Sequence, residues 1–145
     1  MKPYPSLLLL LLCLGHTAAS AASMQQTSAE ACIAANSGAD SLNCLEQLHH
    51  SVQNKIQQQQ SLLQKNWRKR RDSEELTNQH YQQAISESRL ANRYFAEFSH
   101  KHCLARIGAS GAVASGAGQI YWTCRIELAQ QHLSNLTTQL NKLKK

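Results

Sequence analysis

Apolar side chains recur at helical spacing through most of this chain. Leu45, Leu48, Val52, Ile56, Leu63 and Trp67 share one stripe, interrupted only by the glutamine run Gln57 to Gln60. A second stripe joins Tyr81, Ala84, Ile85, Ser88, Ala91, Phe95, Phe98 and His102. A third opens at Cys124 and Leu128 and continues through Leu133, Leu136, Leu140 and Leu143. Between Gly38 and Gly108 there is neither Gly nor Pro, so nothing in that stretch forces the backbone out of a helix.

Local signals set the expected ends. Ser28 to Ala35 reads as a short helix carrying Cys32, followed by the turn-like Asn36-Ser37-Gly38 and then by Asp40 or Ser41 as a cap. The basic run from Lys65 to Arg71 precedes Asp72, with Glu75 three residues on. That pattern predicts one helix ending within Asn66 to Ser73 and the next starting at a capping box. Gly108 to Gly118 reads as a flexible small-residue loop, with the last helix beginning near Gln119. Without a break near Asn66, one helix would reach about 90 Å at 1.5 Å per residue, too long for a chain that must bury these stripes against each other. The fold class is therefore all-α: an antiparallel bundle of three long helices plus a short N-terminal one.

The N-terminus changes the picture of where this bundle works. Lys2, the apolar run Leu7 to Leu12 and the small residues Ala19-Ser20-Ala21 form a secretory signal peptide, residues 1–21. The run is too short to span a bilayer, which takes roughly 20 apolar residues. Leu12 before Cys13 is too large for a lipoprotein site. The expected mature chain is one domain, 22–145, periplasmic or secreted, with no transmembrane segment.

Loss of Cys13 with the leader leaves Cys32, Cys44, Cys103 and Cys124, an even set suited to disulfides in an oxidising compartment. Three pairings are open. The local one, Cys32 with Cys44 and Cys103 with Cys124, is favoured because each pair brackets a segment rich in small residues. Closing loops of this size stabilises by roughly 3 kcal/mol each in the chain-entropy model.

Net charge is +6 at pH 7, including Lys2. A basic balance suits an anionic partner, and export together with a single Trp in the basic run argues against nucleic acid. Arg68, Lys69, Arg70 and Arg71 are the candidate contact patch, since guanidinium groups meet carboxylates in bidentate fashion. Ser110 and Ser115, in the glycine-alanine segment, are candidates for an adaptable binding loop.

Catalytic and metal chemistry find no pattern. The six histidines from His49 to His132 lack C-x-x-C or H-E-x-x-H company, and His100 and His102, two apart on a helix, point in different directions. Glu74 and Glu75 are adjacent and suit a helix start better than acid–base work. No serine sits in a G-x-S-x-G elbow. Neither an enzyme nor a cofactor is expected.

The order Cys32, Asn43-Cys44, a long helix, Arg89-Leu90-Ala91-Asn92-Arg93-Tyr94-Phe95, Phe98, Cys103, a Gly/Ser segment and Cys124 resembles the LprI-type lysozyme inhibitor family. Phe98 and Cys103 keep that family's spacing. Phe95 stands where the family has Trp, Asn92 replaces Gln, Ser99-His100 replace Arg-Asp, and His132 stands for the Arg of the last helix. The resemblance implies a secreted helical binding protein that inhibits lysozyme-type wall hydrolases. The residues alone also allow a non-inhibitory envelope adaptor or a helical module that binds anionic polymer.

Overall fold

The computed structural model describes residues 28–143; the expected signal peptide, Cys13 included, lies outside them. Four helices follow one another: α1 (Ala29–Ala35), α2 (Gly38–Asp72), α3 (Asn78–Ser110) and α4 (Ala114–Lys142). There is no strand among the described residues. Both local disulfides form, Cys32–Cys44 and Cys103–Cys124, with Cα atoms 5.5 and 5.7 Å apart.

The side chain of Ser28 caps α1 by accepting from the Ala31 N–H at 3.1 Å. The start of α2 departs from expectation. Gly38 is its first residue, at φ 48°, and Ser41 turns inward, donating to the Gly38 carbonyl at 2.8 Å and accepting from Gln119 at 3.0 Å.

The first long turn falls within the expected Asn66 to Ser73 window, with the basic run as the last turn of α2 and Ser73 as its C-cap. Nothing in Asn66–Asp72 opposes helix, so α2 continues through all four candidate cations. Glu74 then adopts a left-handed φ of 61°, and the Leu76 N–H bonds back to the Arg70 carbonyl at 3.1 Å. Thr77, not Asp72, caps α3 by accepting from the His80 N–H at 3.2 Å.

The glycine-alanine segment is not a flexible loop. Alanine favours helix, and the chain reverses within Gly111–Val113, with Gly111 left-handed at φ 66°. Gly116 and Gly118 belong to α4. At Gly118 a Cβ would come within 2.8 Å of Leu42 Cδ2, so the missing side chain lets α2 and α4 approach closely.

Pairings across the helices give their directions. Gln60 reaches Asn92 and Arg71 reaches Tyr81, so α3 retraces α2. Phe95 meets His132 and Cys103 meets Cys124, so α4 retraces α3. The consequence is that α2 and α4 run parallel, and between them lies most of the apolar burial. At one end Ala29, Cys32, Leu45 and Ile126 form a cluster with Leu48 and Trp122 against it. Toward the other end Val52, Ile56, Leu63, Ala129, Leu136 and Leu140 form a second, joined by Trp67, Leu133 and Leu143.

The inward residues of α2 (Leu45, His49, Val52, Ile56) and α4 (Trp122, Ile126, Ala129, Leu133, Leu136, Leu140) step by alternating fours and threes. That is the 3.5-residue period of a coiled-coil seam. α3 keeps the same period through Tyr81, Ile85, Ser88, Asn92, Phe95 and Ser99. Ala91, Phe98 and His102, expected inside, are exposed, and Asn92, Ser99 and Cys103, one position on, take the inward places. The α3 seam is polar, and α3 packs more thinly on the pair than the pair packs on itself.

Candidate functional site

The candidate residues fall at opposite ends of the bundle. Arg68 to Arg71 close α2, whereas Ser110 ends α3 and Ser115 begins α4. The length of α3 separates them by about 45–50 Å at 1.5 Å per residue, so they cannot form one contact patch. Ser110 serves its own turn, donating to the Ile107 carbonyl at 2.8 Å and accepting from the Ala112 N–H at 3.2 Å. Ser115 is exposed in the first turn of α4.

Within the basic end the four cations are not equivalent. Arg71 bonds Asp72 at 2.6 Å and lies over the Tyr81 ring, its carbon 4.5 Å from the centroid. The Asp72 hydrogen bond pushes its pKa up further. Arg70 pairs with Glu75 at 3.4 Å. Arg68 and Lys69 have no acidic partner within ion-pair distance among the described residues, nor does Lys65 one turn earlier. These three line a shallow depression with Leu62, Asn66 and Asp72, and Leu62 is 51% exposed. α1 is only seven residues long and covers the far end of the pair, so it leaves this face open.

A second feature, which the hydrophobic stripes do not reveal, sits at the waist of the molecule. A cavity of about 330 Å³ opens where α3 stands off from α2 and α4. His49, Gln53, Gln57 and Gln60 face it from α2, Asn92, Phe95 and Ser99 from α3, and Arg125 and His132 from α4. His49 is only 5% exposed and lies between the two apolar clusters, its ring 5.3 Å from that of Trp122. Burial first, and then the neighbouring Arg125 and His50, hold its pKa down to about 4. Burial also lowers that of His132, whose ring stacks on Phe95.

Three buried polar atoms in this lining have no hydrogen-bond partner: His49 Nδ1, Arg125 Nε and His132 Nε2. Each such atom costs about 1–3 kcal/mol when it stays dry and unpaired. The sequence carried a signal for the cavity, namely the polar residues Asn92 and Ser99 at seam positions of α3.

The outer face of α3 carries exposed aromatics. Tyr94 is 64% and Phe98 55% exposed, and the Phe98 ring stacks on His102 at 5.4 Å. His100 hydrogen-bonds the Tyr121 hydroxyl at 2.9 Å. No group of three His, Cys, Asp or Glu side chains among the described residues is arranged to hold a metal ion. No described helix is long and apolar enough to cross a membrane.

No protein-family model, curated protein or solved structure matches the chain.

Proposed function

We propose that this chain is an exported helical binding protein whose recognition surface is the C-terminal third of α2. The observation that carries the reading is the trio Lys65, Arg68 and Lys69, free of acidic partners, set around an exposed leucine on a rigid helix. The helix fixes the spacing of these cations along one face, and Leu62 adds apolar area to the patch.

The layout of cysteines and the α3 segment, through its resemblance to LprI-type inhibitors, supports a lysozyme-type wall hydrolase as the partner. Such enzymes carry a pair of carboxylates in a cleft, and a basic helix end is complementary to them. The same trio also supports a second reading, attachment to an anionic envelope polymer.

The test is a cell-wall clearing assay in which purified, oxidised protein is titrated against a c-type lysozyme at low and physiological salt. Saturable inhibition near stoichiometric protein, lost on reduction and weakened by Arg68→Glu with Lys69→Glu, supports the inhibitor reading. Absence of inhibition at both salts overturns c-type lysozyme as the target. Steeply salt-dependent retention on wall polymer then supports the second reading.

A further inference from the structure

The cavity at the waist is chemically separate from the basic end of α2. Its lining contains no Asp or Glu. It holds one guanidinium, four side-chain amides, three imidazoles and the Phe95 ring. Arg125 is half-buried, and among the described residues no carboxylate lies within ion-pair distance of it.

We propose that this cavity is a binding site for a small hydroxylated or amide-bearing carboxylate, anchored on Arg125 and oriented by Gln53, Gln60 and Asn92.

Arg125 sets the charge and its geometry. Its Nη1 donates to the Tyr121 hydroxyl at 3.1 Å, which fixes the guanidinium, while Nε is buried with no partner. Nη2 has no protein partner and is not among the buried atoms, so it is the nitrogen that a carboxylate entering the cavity meets through a charge-assisted hydrogen bond. His49 enters as a neutral ring at pH 7, so Arg125 is the one fixed charge deep in the lining. A single fixed cation matches a monoanion; a phosphate dianion would need a second.

The rest of the lining fits the rest of such a molecule. Gln60 and Asn92 bond each other at 2.7 Å across the cavity rim, leaving the Gln60 carbonyl and the Asn92 amide nitrogen for hydroxyl or amide groups. The His49 and His132 rings form part of the cavity wall, so their signals report on what enters it. About 330 Å³ lies at the small end of ligand pockets, roughly 300–1,000 Å³, and suits a monosaccharide-sized molecule.

The test is NMR titration of the oxidised full chain, following the His49 and His132 ring signals. The probes are D-glucuronate, N-acetylmuramate, D-gluconate and lactate, with D-glucose as the neutral counterpart and inorganic phosphate as the competing anion. The proposal expects saturable shifts at both rings with at least one carboxylate, none with glucose, and at least tenfold weaker binding in Arg125→Gln. Arg125→Lys keeps a cation at this position and is expected to retain more of the binding than Arg125→Gln while keeping the native spectrum. Failure of all four carboxylates to shift either ring overturns the site, as does binding unchanged in Arg125→Gln. Equal shifts with glucose, or tighter binding of phosphate, overturn the monoanion assignment. None of these readouts involves lysozyme or the basic end of α2.

Discussion

Gln60 donates through Nε2 to Asn92 Oδ1 at 2.7 Å, the only side-chain hydrogen bond between α2 and α3 among the described residues. It lies midway along both helices, at the rim of the polar cavity. The Cys103–Cys124 bridge holds the far end of α3, so this bond and the Arg71–Tyr81 contact help to position the half that the bridge does not reach.

Replacing Asn92 by Ala is expected to destabilise the chain by about 1 kcal/mol, the usual net worth of a partly buried hydrogen bond. The effect should be local. Amide hydrogen exchange is expected to quicken in α3 between Tyr81 and Phe95 while the α2–α4 pair keeps its protection. Uniform loss of protection across all three helices would contradict a thinly held α3.

Stability should fall as the pH drops from 6.5 to 4. His49 has an ordinary value of 6.5 and about 4 when folded. Between those values the unfolded chain takes up a proton at this ring that the folded chain refuses, so acid favours unfolding. The contribution is complete above pH 6.5, is lost as pH falls toward 4, and is on the order of 2 kcal/mol. His50 and Arg125 are the charged or titratable neighbours that add to it, and α3 brings none to that part of the lining. Urea unfolding across this range, compared with His49→Gln, checks the prediction; an unchanged slope in the variant would contradict it.

The two disulfides should differ in what they restrain. Cys103→Ser with Cys124→Ser removes the covalent tie of α3 to α4 and is expected to cost about 3 kcal/mol. It should also release the upper half of α3, from Ser99 to Ser110. Cys32→Ser with Cys44→Ser should leave α3 in place and free α1, whose other hold is the small cluster around Leu45 and Ile126. Thermal melts with hydrogen exchange separate the two outcomes.

Glu74 pays for its left-handed backbone, φ 61°, with no compensating side-chain bond in the structure. Glu74→Gly is expected to stabilise by about 1 kcal/mol, because glycine adopts that conformation without a Cβ clash. Gly111→Ala, at φ 66°, should destabilise by a similar amount. Matched melting curves for the pair give both signs in one experiment.

Much of the fold was legible in the sequence because its signals are local. The Gly- and Pro-free stretch, the alternation of Leu45, Val52, Ile56 and Leu63, and the small-residue segments between cysteines each point to structure built within a few turns. The helix ends were harder. Asp72 and Glu75 have the spacing of a capping box, yet Thr77 caps α3, since Arg70, Arg71 and Ser73 engage those carboxylates instead. The inner face of α3 lies one position off the apolar stripe at Ala91, Phe98 and His102, because a polar seam gives hydrophobicity little purchase. The basic end was visible as charge, but not the separation of Arg70 and Arg71, which are paired, from Lys65, Arg68 and Lys69. The cavity was hidden for a related reason: it depends on α3 standing away from the pair, a three-body property that no single stripe records.

The parallel pairing of α2 with α4 bears on the order in which the molecule assembles. Its best apolar contacts join segments at nearly opposite ends of the described chain, with all of α3 between them. A chain synthesised from its N-terminus completes α2 long before the partner that buries Leu45, Val52 and Leu63 exists. Until α4 arrives, α2 can rest only on α1 and on a thin polar seam, so native contact order is high for an all-helical protein and folding should be slow by the standards of local bundles.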